Sequence, residues 1–323
     1  MTGKQRVFDI LEGRKPDRMP FYLSYDDQVA KTICKAHKIK PDEIRDFYGC
    51  DIECVPVYIA WARDMPVAHS LSNAKSAGDI DSFPWPDESV LDTAACFDKA
   101  KKARDTGRAV CGGVWASIFT GARHLLGEEH FLTAIYENPE LIRAVVDRMT
   151  DCCLKINKAY FDACGDVCDI YHFGSDFGTQ GSMFISPGMF DEFFAPNIKR
   201  LADQAKGYGK RVMFHTCGSV TPIVGSLVNC GIDIIEPVQV SAADMSAEYV
   251  AAKFKGRVAF LGGISSQVTF TTGTPDIIYE ETQTAIRTLG PFGYIPAPDH
   301  ELIGSVTAEN VDAFVKAVKE YQI

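Results

Sequence analysis

The chain has 323 residues, 46% of them apolar and 11% aromatic, with a formal net charge of −10. This composition supplies a large core and excludes a disordered chain, while the acidic balance repels phosphate backbones and speaks against nucleic acid as a partner. No apolar run approaches the roughly 18 residues that cross a bilayer, so no membrane association is expected.

The first fourteen residues are mixed polar and charged. They lack the apolar stretch of a signal peptide, which predicts a cytoplasmic protein. Eleven cysteines at irregular spacings read as small buried hydrophobes in a reducing compartment rather than a disulfide framework. Cys111, Cys164, Cys168 and Cys230 are expected to be structural.

Short β-rich runs then alternate with longer helical patterns. Residues 19–23 form the first run and 51–58 the second. A stretch rich in Pro, Asp and Ser follows over about 60–102 and reads as an excursion across one face of the same domain. The third run is 108–115, followed by an amphipathic helix over 139–163. The fourth run, 168–173, precedes a helix over 187–207 with Ser186 as N-cap and Pro187 at its first position. The fifth run, 211–215, leads into a helix over 221–229. The sixth and seventh runs are 232–237 and 258–262. Thr274-Pro275 opens a helix over 276–289, the eighth run is 293–297, and Thr307 caps a last helix over 308–321. Eight strands alternating with helices imply parallel pairing, right-handed crossovers and closure into a (β/α)₈ TIM barrel. The whole chain, 1–323, reads as a single domain of this kind.

Chemistry in such a barrel gathers at the C-terminal ends of the strands. Those ends carry Tyr22 and Tyr25 after the first run, Trp115 after the third, His172, Ser175 and Asp176 after the fourth, and His215 and Cys217 after the fifth. Glu236 and Gln239 follow the sixth, and Asp299, His300 and Glu301 the eighth. The sharpest local pattern is Phe214-His215-Thr216-Cys217-Gly218. Residues i and i+2 of a strand share a side, about 6.5 Å apart at Cα. Gly218 lets the backbone bend so that two donors can converge. Imidazole nitrogen and thiolate are the donors zinc favours. A core histidine beside a buried cysteine would give the same pattern. A zinc site needs a third ligand, for which His300 is the first candidate and Glu236 or Asp299 the alternatives; a carboxylate can instead orient a histidine from behind. His300 reads equally as a loop residue that bonds a substrate. Asp176 lies in Gly174-Ser175-Asp176-Phe177-Gly178-Thr179-Gln180, where small residues admit a ligand close to the backbone; an Asp-capped turn is the plainer reading. Asp176, Glu236 and Tyr25 are the candidate catalytic or orienting groups. Tyr22, Trp115, His172, Gln180 and Gln239 are the candidate substrate-binding residues, although His172, Trp115 and Tyr22 would also suit a core.

Several of these segments resemble the uroporphyrinogen decarboxylase-like superfamily. Residues 174–180 resemble its GDDxGTQ segment, MFISPGMFDEFF (183–194) its ISPEMYREFF helix start, and MFHTCGSV (213–220) its FFHSCGSV. IDIIEPVQ, FLGGIS and GYIPAPDH resemble its VDILNPVQ, FHGGID and GYILAPSH. The resemblance runs in order over nearly the whole chain and implies the same barrel. It also implies one of two activities. The decarboxylases carry an arginine-rich motif after the first strand that binds a polyanionic substrate. Here residues 22–27 read Tyr-Leu-Ser-Tyr-Asp-Asp, which would repel such an anion. The other activity is methyl transfer between a corrinoid and a small molecule, with zinc held by a His-x-Cys pair and a later ligand. In its coenzyme M methyltransferases that later ligand is a cysteine, and here the matching place holds His300.

The expectation is therefore a zinc-dependent methyltransferase of the corrinoid-dependent branch. Zinc would sit on His215, Cys217 and His300, and the corrinoid (cobalamin) would be carried by a separate partner protein. The small-molecule methyl donor or acceptor is left open, and a homodimer is compatible with the fold. The alternatives are a metal-free decarboxylase of a less anionic acid and a non-catalytic ligand-binding barrel.

Overall fold

The computed structural model of the protein describes residues 1–59 and 68–323. Part of the 60–102 excursion thus lies outside the described residues. Seven parallel strands pair in chain order: β1 Ile52–Cys54, β2 Ala109–Gly112, β3 Ile170–Gly174, β4 Arg211–His215, β5 Ile234–Val238, β6 Ala259–Ile264 and β7 Tyr294–Pro298. The helices between them cover the outer face, as parallel crossovers require.

The expected first strand, 19–23, is not a regular strand, so among the described residues the expected eight strands become seven. The segment still fills the gap between the two edges of the curled sheet. Asp51 N–H donates to Phe21 O (3.2 Å), and Tyr22 N–H donates to Pro296 O (3.3 Å). Asp26 N–H and Leu302 N–H then bond Leu302 O and Ser24 O, each at 2.9 Å. The reason for the irregularity is chemical. Pro20 on one side and Pro296 and Pro298 on the other have no N–H, which thins the ladder across this seam. A buried carboxylate compensates. Asp51, 1% exposed, accepts from Phe21 N–H, from both Nη atoms of Arg18 and from Arg6 Nη1.

Strand alternation sorts the core into two parts. Inward residues Ile52, Ala109, Cys111, Ile170, Met213, Ile234, Leu261 and Ile295 fill the barrel interior, and Val7 of the first helix plugs its N-terminal end. Outward residues such as Tyr171, Phe173, Phe214 and Ile235 pack beneath the helices. Cys111, Cys164, Cys168 and Cys230 are buried, and all eleven cysteines are free thiols.

The expected caps form. Ser186, Thr274 and Thr307 accept from the backbone N–H three residues on. The helix over 187–207 is interrupted by a π-helical turn, Phe190–Phe194, just before Pro196. A proline that cannot donate to the carbonyl four residues back accounts for the wider turn. Among the described residues no helix is long and apolar enough to cross a membrane.

Candidate functional site

The inward phase of β3, β4 and β5 passes from an apolar layer to a polar one. Ile170, Met213 and Ile234 lie in the interior core. Two residues further along each strand stand His172, His215 and Glu236, on the same side and one step closer to the C-terminal mouth. His215 and Glu236 are register partners across β4 and β5. His215 Nδ1 lies 2.6 Å from Glu236 Oε2, and His172 Nε2 lies 3.2 Å from the same oxygen. The carboxylate thus bridges two imidazoles. This burial disfavours its charge, yet the two histidines hold Glu236 well below the usual carboxylate range. Burial also opposes the His172 cation, but neighbouring Cys54 and Glu236 push its pKa up to about 9.

Beyond the strand ends, two loops lock together. Ser175 N–H donates to His215 O (3.0 Å), Phe177 N–H to Thr216 Oγ1 (3.3 Å) and Ser219 N–H to Thr179 O (2.8 Å). Glycine permits this approach. A Cβ on Gly174 would stand 2.1 Å from His215 O, and one on Gly218, at φ +85°, would stand 2.6 Å from the carbonyl carbon of Gly178. The bend expected at Gly218 is therefore present, and Gly174 and Gly178 are its counterparts on the other loop.

Docking the loops brings Asp176 to the His-x-Cys pair. Asp176 Oδ1 lies 3.2 Å from His215 Nε2 and 3.4 Å from Cys217 Sγ. Among the described residues, two sets of donor atoms lie within 4.8 Å of one another: Asp176, His215 and Cys217, and His172, His215 and Glu236. Burial would raise the Cys217 thiol, but the imidazoles of His215 and His300 outweigh it and lower its pKa. The His300 pKa is raised in turn, chiefly by that sulfur.

The chemistry of the first set fits zinc. It offers one imidazole, one thiolate and one carboxylate. His215 presents Nε2 to this set while Glu236 holds Nδ1, which is how a carboxylate fixes the tautomer of a ligating histidine. The His300 ring centroid is 6.4 Å from that of His215, and its nitrogens fall outside both donor sets, although it stands beside Cys217. Asp299 is turned away, accepting from Ser266 N–H (2.7 Å) and Oγ (2.8 Å).

A cavity of about 610 Å³ opens over the cluster, walled by Tyr22, Trp115, His172, His215, Glu236 and His300 among others. The Trp115 ring packs 4.9 Å from His172 and 5.6 Å from His215. Three residues expected here are elsewhere. Tyr25 does not line the cavity; its ring lies under the Arg45 guanidinium at 5.2 Å. Gln180 sits outside, bonded through its backbone carbonyl to Ala243 N–H. Gln239 is buried and accepts from Gly218 N–H at 2.6 Å, so it holds the loop rather than a ligand. Asp26, one of the acids expected to repel an anion, is used as a helix cap on Val29 N–H. The cavity instead gains residues that were not expected: Arg45, Cys54, Tyr58 and Lys99. Cys54 and Tyr58 continue the inward phase of Ile52. Arg45 and Lys99 come from surface helices, where a cation carries no distinguishing signal.

The chain matches the uroporphyrinogen decarboxylase (URO-D) family over residues 61–321. It is 23% identical over 212 residues to the methylcobamide:CoM methyltransferase MtaA of Methanosarcina barkeri, covering 66% of this chain and 58% of that relative. The chain therefore spans less than two thirds of the relative it matches. A solved structure, a methyltransferase from Methanosarcina mazei, superposes with a TM-score of 0.74 at 18% identity, covering 99% of both chains. At that identity the likeness speaks for the fold, and it agrees with the barrel built above from strand order and seam. On the match over four fifths of its length, this chain belongs to the uroporphyrinogen decarboxylase family.

Proposed function

We propose that the protein is a zinc-dependent methyltransferase that moves a methyl group between a small substrate and a corrinoid carried by a separate protein. The observation that carries this reading is the convergence of Asp176, His215 and Cys217 at the mouth of the barrel, with Glu236 behind His215. The named relative, a methylcobamide:CoM methyltransferase, supports the same chemistry.

In this reading His215, Cys217 and Asp176 hold the metal. His300, first in line from the sequence, serves the Cys217 sulfur instead and keeps its negative charge in place. A bound zinc would act as a Lewis acid that holds a thiol as thiolate or polarises the atom bearing the methyl group. Glu236 keeps the Nδ1 proton of His215, so that Nε2 stays an acceptor. It also pairs with His172, whose ring packs against Trp115 and stiffens the wall. Trp115 and Tyr22 form an apolar flank that excludes water from the reacting end of the substrate. The open mouth at the strand ends is the side on which a corrinoid protein would dock.

The test is spectrophotometric interconversion of cob(I)alamin and methylcobalamin, run with panels of methyl donors and thiol acceptors. Activity should vanish with a chelator, return with zinc and be absent in Cys217→Ser. Turnover that ignores both the chelator and the substitution would contradict the proposal. A decarboxylase reading draws on the cations in the cavity wall, and it predicts such chelator-resistant turnover with release of CO₂.

A further inference from the structure

Two thiols stand side by side at the cavity wall. Cys54, at the end of β1, lines the cavity, and Cys111 of β2 is its register partner. Both side chains belong to the inward cluster of the barrel, Cys111 fully buried and Cys54 half-buried. Neighbouring strands lie about 4.8 Å apart, inside the range of roughly 4.4–6.8 Å between Cα atoms that a disulfide spans. Cys54 also neighbours His172. Glu236 holds Nε2 of that ring at 3.2 Å, while its Nδ1 is buried without a hydrogen-bond partner. A buried polar atom left so is costly, and the Cys54 sulfur is the group available to it. Thiol, imidazole and carboxylate in that order are the parts that activate a nucleophile. Elsewhere burial pushes the thiols of Cys50 and Cys168 up to about 12 and those of Cys164 and Cys230 up to about 11. Cys54 goes the other way. A hydrogen bond from Cys111, with the His172 imidazole behind it, outweighs burial and holds it well below the ordinary thiol value, and Cys111 as the donor is raised.

We propose that Cys54 and Cys111 form a peroxide-sensitive dithiol site, with Cys54 as the sulfur attacked from the cavity and Cys111 as the sulfur that resolves it. The Cys54 sulfur attacks one oxygen of the peroxide, the O–O bond breaks, and Cys54 becomes a sulfenic acid as the other oxygen leaves as water. The Cys111 sulfur then displaces the sulfenic hydroxyl, which leaves as a second water with the Cys111 proton, and the S–S bond forms. Two thiols lose two electrons and one hydrogen peroxide becomes two waters. A bridge that opens and closes, rather than a permanent one, suits a chain whose cysteines are all free. Closing it draws the Cys54 sulfur away from His172, the ring on which Trp115 packs, so the cavity wall senses the oxidation state. No metal is required for any of these steps.

Peptide mapping by mass spectrometry, on the purified full chain after brief exposure to hydrogen peroxide, tests this. A Cys54–Cys111 linkage should appear and should vanish on treatment with dithiothreitol. Cys34 and Cys96 are also half-buried but have raised thiols, so they serve as internal controls. Cys54 should oxidise on the order of tenfold or more faster than either. Cys111→Ser should stop the reaction at the Cys54 sulfenic acid, which dimedone captures. Cys54→Ser should leave Cys111 reduced. The proposal is overturned if peroxide produces no Cys54–Cys111 linkage in the wild-type chain, a linkage of Cys54 to Cys217 in its place included. It is equally overturned if Cys54 reacts no faster than Cys34 and Cys96, or if Cys111 oxidises as readily in Cys54→Ser. The first two readings come from the wild-type chain and do not depend on the folding of a variant.

Discussion

Removing the Glu236 carboxylate should weaken zinc binding without touching any donor in the proposed ligand set. Glu236 is 13% exposed, and its Oε2 is shared by His215 Nδ1 at 2.6 Å and His172 Nε2 at 3.2 Å. Carboxylates behind ligating histidines contribute roughly 10–100-fold in metal affinity, or about 1.4–2.8 kcal/mol. Glu236→Gln keeps an acceptor for the Nδ1 proton and loses only the charge, so it should fall near the tenfold end. Glu236→Ala also frees the tautomer and the ring, and should approach a hundredfold. Cys217→Ala removes a donor outright and should exceed both. The assay is competition for zinc against a chelator of known affinity, with circular dichroism to show that each variant folds. Equal affinity in the wild type and both Glu236 variants would refute the assignment of Glu236 as the orienting group. A Glu236→Ala loss as large as that of Cys217→Ala would instead make Glu236 a ligand, as the second donor set allows.

Three further outcomes follow from the same geometry. Asp176→Ala should cost more zinc affinity than His300→Ala in the same competition assay, because only Asp176 shares the 4.8 Å donor set with His215 and Cys217; the reverse order would return His300 to the ligand set. Gly174→Ala should destabilise the fold by about 1–3 kcal/mol or more in urea titration and lower zinc content, since its Cβ would press on His215 O and Cβ. Asp51→Ala strips the seam of its shared acceptor, leaves Arg18 and Arg6 without that partner, and should cost about 3–5 kcal/mol in the same titration, while zinc binding by the folded fraction is unchanged.

The sequence carries the barrel well because strand alternation and helix caps are local. Ser186, Thr274 and Thr307 cap where the patterns end, and the inward phase of β3 to β5 delivers His172, His215 and Glu236 to one level. The irregularity of the 19–23 segment has a cause that is not local: its carbonyl acceptors must meet N–H donors on β7, and Pro296 and Pro298, some 270 residues away in the chain, offer none. Asp176 was recognised as a candidate, but its place beside Cys217 depends on two loops meeting through Gly174, Gly178 and Gly218, and spacing along the chain does not encode that meeting. Tyr25 follows the first strand in sequence, as a catalytic group would, whereas the strand-like alternation turns its ring outward to Arg45. Arg45 and Lys99 are not legible as cavity residues in the sequence, because a cation on an amphipathic helix looks the same whether it faces solvent or the mouth of a cavity.

The proposed function requires one metal ion between His215 and Cys217. Zinc quantification with K-edge absorption spectroscopy on the purified protein tests it directly. About one zinc per chain is expected, with one sulfur and mixed nitrogen and oxygen neighbours, the sulfur signal disappearing in Cys217→Ser. A protein that binds no stoichiometric metal, or one whose zinc keeps its sulfur neighbour in that variant, would contradict it.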